Sequence, residues 1–204
     1  MDLDAHTRRA QELAVTLGAR KPRVKRGKLS EELLPDGILV RTLVFRPYIT
    51  LTPPFDNFSE PERDSELAQA VVISDLTESG MPKFVGIATV VCLALGGLTG
   101  IAAAALDVPE GLGVNLVFAL FIALWTCLYL ACAFVWSRRI IFQADRKVAE
   151  VLGVPWVTTS VQLSRQMRHK RRGVFGLYLG LSMPNEERRL EAIADLTAER
   201  AAEH

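Results

Sequence analysis

The sequence predicts a mainly α-helical membrane protein, with a two-span transmembrane hairpin inserted in a cytoplasmic α+β domain that carries a small antiparallel sheet. Three observations carry this prediction. Phe84 to Leu106 and Val114 to Trp136 are each 23 residues long without a charged side chain. A run rich in β-branched and aromatic residues lies between turn signals at 35–37 and 53–54. Apolar residues recur at helical spacing both before and after the uncharged stretches.

A helix of that length reaches about 35 Å, enough to cross a hydrocarbon core of about 30 Å with some tilt. Between the two, Asp107 to Gly113 holds Pro109, two glycines and two acids, and reads as a tight turn beyond the far face of a bilayer. A buried helix pair in a soluble protein is the alternative, but the rest of the chain is too small to wrap it. Three parts follow: residues 1–83, the hairpin 84–136 (spans 84–106 and 114–136), and 137–204, with the first and last joining into one domain.

In chain order, Ala5 to Leu17 has helical spacing (Ala10, Leu13, Ala14, Leu17) and Gly18 stops it. Arg20 to Lys28 packs six basic residues into nine positions. That run reads as an edge strand protected by charge, or as a patch facing anionic headgroups. Pro35-Asp36-Gly37 is a turn. After it Ile38 to Phe45 and Tyr48 to Thr52 form strands separated by Arg46-Pro47, and Pro53-Pro54 ends them. Ser59 caps a helix with Glu62 as its capping-box partner and Pro61 in the first turn. Gly80 and Pro82 interrupt that helix before the first span. Gly96 and Gly100 give a small-xxx-small spacing that permits close helix approach, within the hairpin or in a homodimer. The second span continues as a helix to Leu152, ended by Gly153-Val154-Pro155. A basic helix (158–172), a Gly-punctuated stretch to Gly180 and an amphipathic helix from Asn185 close the chain.

A formal charge of +1 makes no case for nucleic acid. Cys92, Cys127 and Cys132 all fall inside the spans, so no disulfide framework is expected and a reducing compartment is. The N-terminus has no apolar core of a signal peptide. The 107–113 turn has no Lys or Arg, whereas Lys83, Arg138, Arg139, Arg146 and Lys147 flank the other ends. The positive-inside rule therefore puts both termini in the cytoplasm, with the cytoplasmic membrane as location and the lipid bilayer as first partner.

Two helices thus flank a hairpin, and their residues resemble those of membrane zinc peptidases of the HtpX and CAAX-prenyl-endopeptidase type. "ELAQAVVISDLTES" (Glu66 to Ser79) resembles the stretch read there as E-L-x-A-V-L-A-H-E-L-G-H. "SRRIIFQADRKVAEVLG" (Ser137 to Gly153) resembles S-R-x-x-E-y-x-A-D-x-x-A-x-x-x-G, and "MPNEERRLEAI" (Met183 to Ile193) resembles H-P-p-l-E-E-R-I-x-x-L. Asp2 to Gly18 and "VRTLVFRPYITLTPPF" (Val40 to Phe55) resemble the family's opening helix and strand pair. The resemblance implies a metallopeptidase-like α+β domain. In that family two histidines at i and i+4 and a Glu from the second helix hold zinc, the Glu between the histidines activates water, and an Asp orients a histidine.

Here Ser74 and Glu78 stand where the histidines belong, Asp75 for the catalytic Glu and Ile141 for the third ligand. Asp145 survives, Met183 replaces the closing histidine, and Arg188 is taken as its retained Arg. His6, His169 and His204 are the only histidines, and none pairs at helical spacing. Asp75, Glu78 and Asp145 alone suit a hard cation such as Mg²⁺ or Ca²⁺ better than zinc. The expectation is a non-catalytic protein on the peptidase scaffold, without metal or cofactor. It would bind a peptide or protein partner in the cleft between the helices at 66–79 and 137–152, or serve as a subunit or homo-oligomer. Tyr48, Thr50, Thr52, Met183 and Arg188 are its partner-binding candidates, and the small sheet offers an edge for strand addition. The alternatives are an active metallopeptidase whose zinc ligands come atypically or from another chain, or a two-span structural protein whose likeness is accidental.

Overall fold

The computed structural model describes residues 2–29, 34–43, 46–105, 112–168 and 173–202. The chain is mainly helical, with a three-stranded sheet and two long apolar helices. It divides into two compact units, residues 1–79 with 137–204, and residues 80–136.

In the first unit, helix α1 (Leu3–Thr16) starts at Asp2, whose carboxylate accepts the Ala5 N–H at 3.0 Å. It ends where Gly18 takes φ 58°. Strands β1 (Val24–Arg26), β2 (Ile38–Leu43) and β3 (Arg46–Leu51) form a sheet in the order β1-β3-β2. β2 and β3 pair antiparallel but β1 pairs parallel to β3, so the sheet is mixed, not the antiparallel one expected. The hairpin pairs Thr42 with Pro47 and Leu43 with Arg46. Arg46-Pro47 therefore belongs to β3 instead of separating the strands, and the expected strand residues 44–45 lie outside the described residues. Pro47 is tolerated in this central strand because the N–H it lacks would point past the end of β1. Two residues on, the Ile49 N–H donates to the Arg23 carbonyl at 2.7 Å, and β1 begins only at Val24.

The turn before β2 needs glycine. Gly37 has φ 67°, and a Cβ there would lie 2.3 Å from the Phe55 backbone nitrogen. Pro53–Asn57 forms a single 3-10 turn that buries Phe55 completely. Helix α2 (Glu60–Ala105) begins after Ser59, whose N–H and hydroxyl both donate to the Glu62 carboxylate at 2.8 and 2.6 Å. The expected interruption at Gly80 and Pro82 does not occur, since α2 runs through both. Proline removes one backbone hydrogen bond, whereas breaking the helix would free several at the edge of an apolar stretch.

Helix α3 (Leu112–Val151) likewise continues through residue 136 and stops where Gly153 adopts φ 99°. Helix α4 (Val154–Arg168) starts four residues earlier than expected because Pro155 sits in its first turn, where its missing N–H costs nothing. The Gly-punctuated stretch is also a helix, α5 (Gly173–Ser182), and the Arg138 guanidinium covers its end by donating to the Leu181 carbonyl at 3.0 and 3.2 Å. Helix α6 (Glu186–Ala202) closes the chain. The core gathers Ala10 and Leu13 of α1, Ile49 and Leu51 of β3, Leu67 and Val71 of α2, Val148 of α3, Val157 of α4 and Ile193 of α6.

In the second unit the two helices are long and apolar enough to cross a membrane, and no residue of the most apolar window of either is buried. Leu93 is 71% exposed, Ile101 69% and Phe118 62%. Phe84 stacks on Trp136 at 4.9 Å between ring centroids, and Trp125 stacks on Tyr129 at 5.5 Å. A Cβ on Gly96 would sit 3.6 Å from the Phe121 ring, so this glycine packs within the hairpin, while Gly100 faces open space. Most of the expected 107–113 turn lies outside the described residues; Leu112 and Gly113 already belong to α3.

Candidate functional site

Ser74, Asp75 and Glu78 come together on one wall of a cleft of about 180 Å³. They share it because positions four apart in a helix project from the same face. The opposite wall is the basic segment Arg20 to Arg23 that leads into β1, and the floor includes Arg46 and Pro47 at the head of β3. The cleft thus opens between α2 and the sheet, not between α2 and α3 as the sequence suggested, and no residue of α3 lines it.

Both acids of this wall face cations of the same chain. The Arg20 N–H donates to Asp75 Oδ1 at 3.3 Å, and its guanidinium lies 3.8 Å from Asp75 Oδ1 and 3.7 Å from Glu78 Oε1. Lys147 Nζ reaches Asp75 Oδ2 from the other side at 3.8 Å. At 3.7–3.8 Å these are ion pairs without tight hydrogen bonds, in which two cations balance two carboxylates. Lys21, Arg23 and Arg46, which also line the cleft, have no ion-pair partner among the described residues. Ser74 is buried, and no histidine approaches its hydroxyl among the described residues.

On α3, Ile141 and Asp145 are both buried. Asp145 is not turned toward Ser74–Glu78. Arg189 of α6 grips its carboxylate with Nε to Oδ2 at 2.7 Å and Nη2 to Oδ1 at 2.8 Å. Gln69 of α2 closes the set, donating to Asp145 Oδ1 at 2.7 Å and accepting from Arg189 Nη2 at 3.0 Å. Burial pushes the Asp145 carboxyl above its ordinary value against the pull of Arg189. Burial also works to lower Arg189, but the hydrogen bonds and charge of Asp145 outweigh it and leave the guanidinium more basic than usual. The polar atoms of Asp145 and Arg189 are satisfied by each other and by Gln69. Beside it, Ser160 of α4 donates to Glu66 of α2 at 2.7 Å.

The sequence reading missed Gln69 and Arg189. It took Arg188, which is exposed on α6, as the Arg of the closing motif. The signal was present: in H-P-p-l-E-E-R-I the Arg stands six places after the His, and six places after Met183 is Arg189. Met183 itself is half-buried between α5 and α6.

Among the strand candidates, Tyr48 is half-buried with Lys25 Nζ 4.8 Å from its ring centroid. Thr50 and Thr52 are buried, and Thr50 lies in the central strand. Neither offers an edge to an incoming peptide, a correction to the expected role. Among the described residues the unpaired edges belong to β1 and β2.

Among the described residues no three His, Cys, Asp or Glu side chains converge on a metal position. Asp75 and Glu78 face the cleft while Asp145 is taken up by Arg189 and Gln69, so the hard-cation set is divided. His6 pairs with Asp56, Nε2 to Oδ1 at 2.8 Å, and meets Phe55 edge to face; His169 and His204 lie outside the described residues. Comparison with protein-family models, with curated proteins and with solved structures finds no match to this chain, so the resemblance to membrane zinc peptidases rests on its own residues.

Proposed function

We propose that this chain is a non-catalytic integral membrane protein on a membrane zinc-peptidase scaffold, working as an interaction subunit with both termini in the cytoplasm. The observation that carries this reading is the state of Asp75 and Glu78. At the positions that would face a metal, their carboxylates are already balanced by Arg20 and Lys147. Metal-assisted hydrolysis needs open ligands and a position for water, and a serine without a base is a poor nucleophile. The membrane part of the reading is supported by the exposed leucines and isoleucines and by Phe118 of residues 84–136. Each would lose about 1.5–3 kcal/mol in water relative to burial. At about 180 Å³ the cleft is too small for a peptide of several residues, because pockets for drug-sized ligands run to about 300–1,000 Å³. A protein partner is better served by the open edges of β1 and β2 through strand addition.

Two measurements test this. Purified full-length protein should contain no stoichiometric zinc; a zinc equivalent per chain would overturn the reading. The combined change Ser74→His, Asp75→Glu, Glu78→His and Ile141→Glu should then create a zinc site if the scaffold is of the peptidase type. Absence of zinc binding by this variant, with its fold intact, would favour the accidental likeness.

A further inference from the structure

The three cleft cations without ion-pair partners among the described residues point to a ligand. Arg20 and Lys147 balance Asp75 and Glu78, which leaves Lys21, Arg23 and Arg46, all exposed, without a counter-charge among the described residues around one small cavity. Like charges gathered this way repel one another, and an anion among them relieves the repulsion. Two guanidiniums and an ammonium suit the oxygens of a phosphoryl group, which takes forked hydrogen bonds from Arg and a point charge from Lys. The volume of about 180 Å³ fits a single such group and excludes a folded partner.

We infer that this cleft binds a phosphoryl group, supplied by an anionic phospholipid headgroup. A lipid and a soluble phosphate share the chemistry. Chain connectivity favours the lipid, a choice that rests on the hairpin crossing a membrane. Glu78 in the cleft wall precedes Phe84, the first residue of the uncharged stretch, by only six residues of sequence. The two roles weighed for the basic run then fall to different residues: Val24–Arg26 is the sheet edge, and Lys21 and Arg23 face the anion.

The test titrates the detergent-purified full chain with dihexanoyl phosphatidylglycerol, dihexanoyl phosphatidylcholine, inorganic phosphate and a hexaglutamate peptide. Phosphatidylglycerol should bind saturably and more tightly than the other three. At about fivefold per basic residue near an anionic headgroup, Arg46→Gln should weaken it about fivefold and Lys21→Gln/Arg23→Gln/Arg46→Gln about a hundredfold. Lys83→Gln/Arg139→Gln, which removes exposed basic residues outside the cleft, should leave it unchanged. Equal binding by wild type and the Arg46→Gln and triple variants overturns the site. Inorganic phosphate binding as tightly as the lipid overturns the lipid source, and preference for hexaglutamate overturns the phosphoryl assignment in favour of an acidic peptide. Alkaline carbonate extraction of cells separates these failures from that of the membrane reading, since a chain released by carbonate has no crossing hairpin whatever its ligand.

Discussion

The buried pair of Asp145 and Arg189 gives the sharpest test of the fold. Their side chains are only 2% and 5% exposed, and each holds the other's charge in a site with little water. Arg189→Met leaves the Asp145 carboxylate with Gln69 as its one remaining side-chain donor among the described residues. Asp145→Asn removes the guanidinium's ion-pair partner and leaves it only the weaker pull of Glu66 and Glu186. Breaking a buried pair from one side costs about 3–5 kcal/mol, a large part of the 5–15 kcal/mol that holds a domain together. For a unit of about 150 residues, with 2–4 °C lost per kcal/mol, either variant should melt about 10 °C below wild type. Arg189→Met/Asp145→Leu removes both charges and should recover most of the loss, because an apolar replacement of an ion pair is often neutral. Arg188→Met, one residue away on the exposed face, should stay within about 0.5 kcal/mol. Trp156 of α4 packs against the core and reports the transition by fluorescence once Trp125 and Trp136 are changed to Phe. Melting of Arg189→Met within 2 °C of wild type would refute the network, and a larger loss in Arg188→Met would move the register of α6 by one residue.

Two further predictions follow from single contacts. Ser59→Ala removes the hydroxyl that, with the Ser59 N–H, holds the Glu62 carboxyl below its ordinary value; it should cost about 1 kcal/mol, read as a lower melting temperature, and an unchanged melt would mean the cap contributes nothing. Burial works to raise the Asp56 carboxyl, but hydrogen bonds and charges from His6 and the amino terminus together outweigh it and hold the group below its ordinary value. A depressed folded pKa stabilises above the unfolded value of about 3.9 and stops doing so as the pH falls through the folded one. Asp56→Asn should therefore lower the melting temperature at pH 6, with the gap to wild type closing below about pH 4; a gap that stays constant over that range would contradict the assignment.

What could be read from the sequence was whatever a short stretch decides for itself. The Ser59–Glu62 spacing, the αL glycine after α1, the Pro35–Gly37 turn and the two uncharged stretches each carry their cause within a few residues. What could not be read was set by distant partners. Nothing local in Val24–Arg26 says which side of β3 it joins or in which direction. Gly176 and Gly180 cost α5 about 2 kcal/mol of helix propensity, and the helix forms nonetheless, its end covered by an arginine 43 positions away. Pro82 read as a stop because in water a proline inside a helix costs about 3 kcal/mol. Next to an apolar stretch, a break that exposes backbone polar groups is worse.

The candidate site divides along the same line. At 100° per residue, Glu66 and Gln69 lie within 60° of each other around α2, while Ser74, Asp75 and Glu78 fall 140–240° from Gln69. The helix therefore turns one side to the Arg189–Asp145 network and the opposite side to the basic cleft. A motif written along one strip of sequence places these residues in a single site, whereas the helix separates them. A buried ion pair gains little stability over apolar packing, but the guanidinium reaches Asp145 and Gln69 together and so ties α6 to both α3 and α2. That fixes the back of α2. With the back fixed, the front presents Asp75 and Glu78 to Arg20 at a constant distance and leaves Lys21, Arg23 and Arg46 to face an anion. The two sides are then coupled through a rigid helix. On this argument Arg189→Met should loosen anion binding in the cleft without touching a single group that contacts the anion.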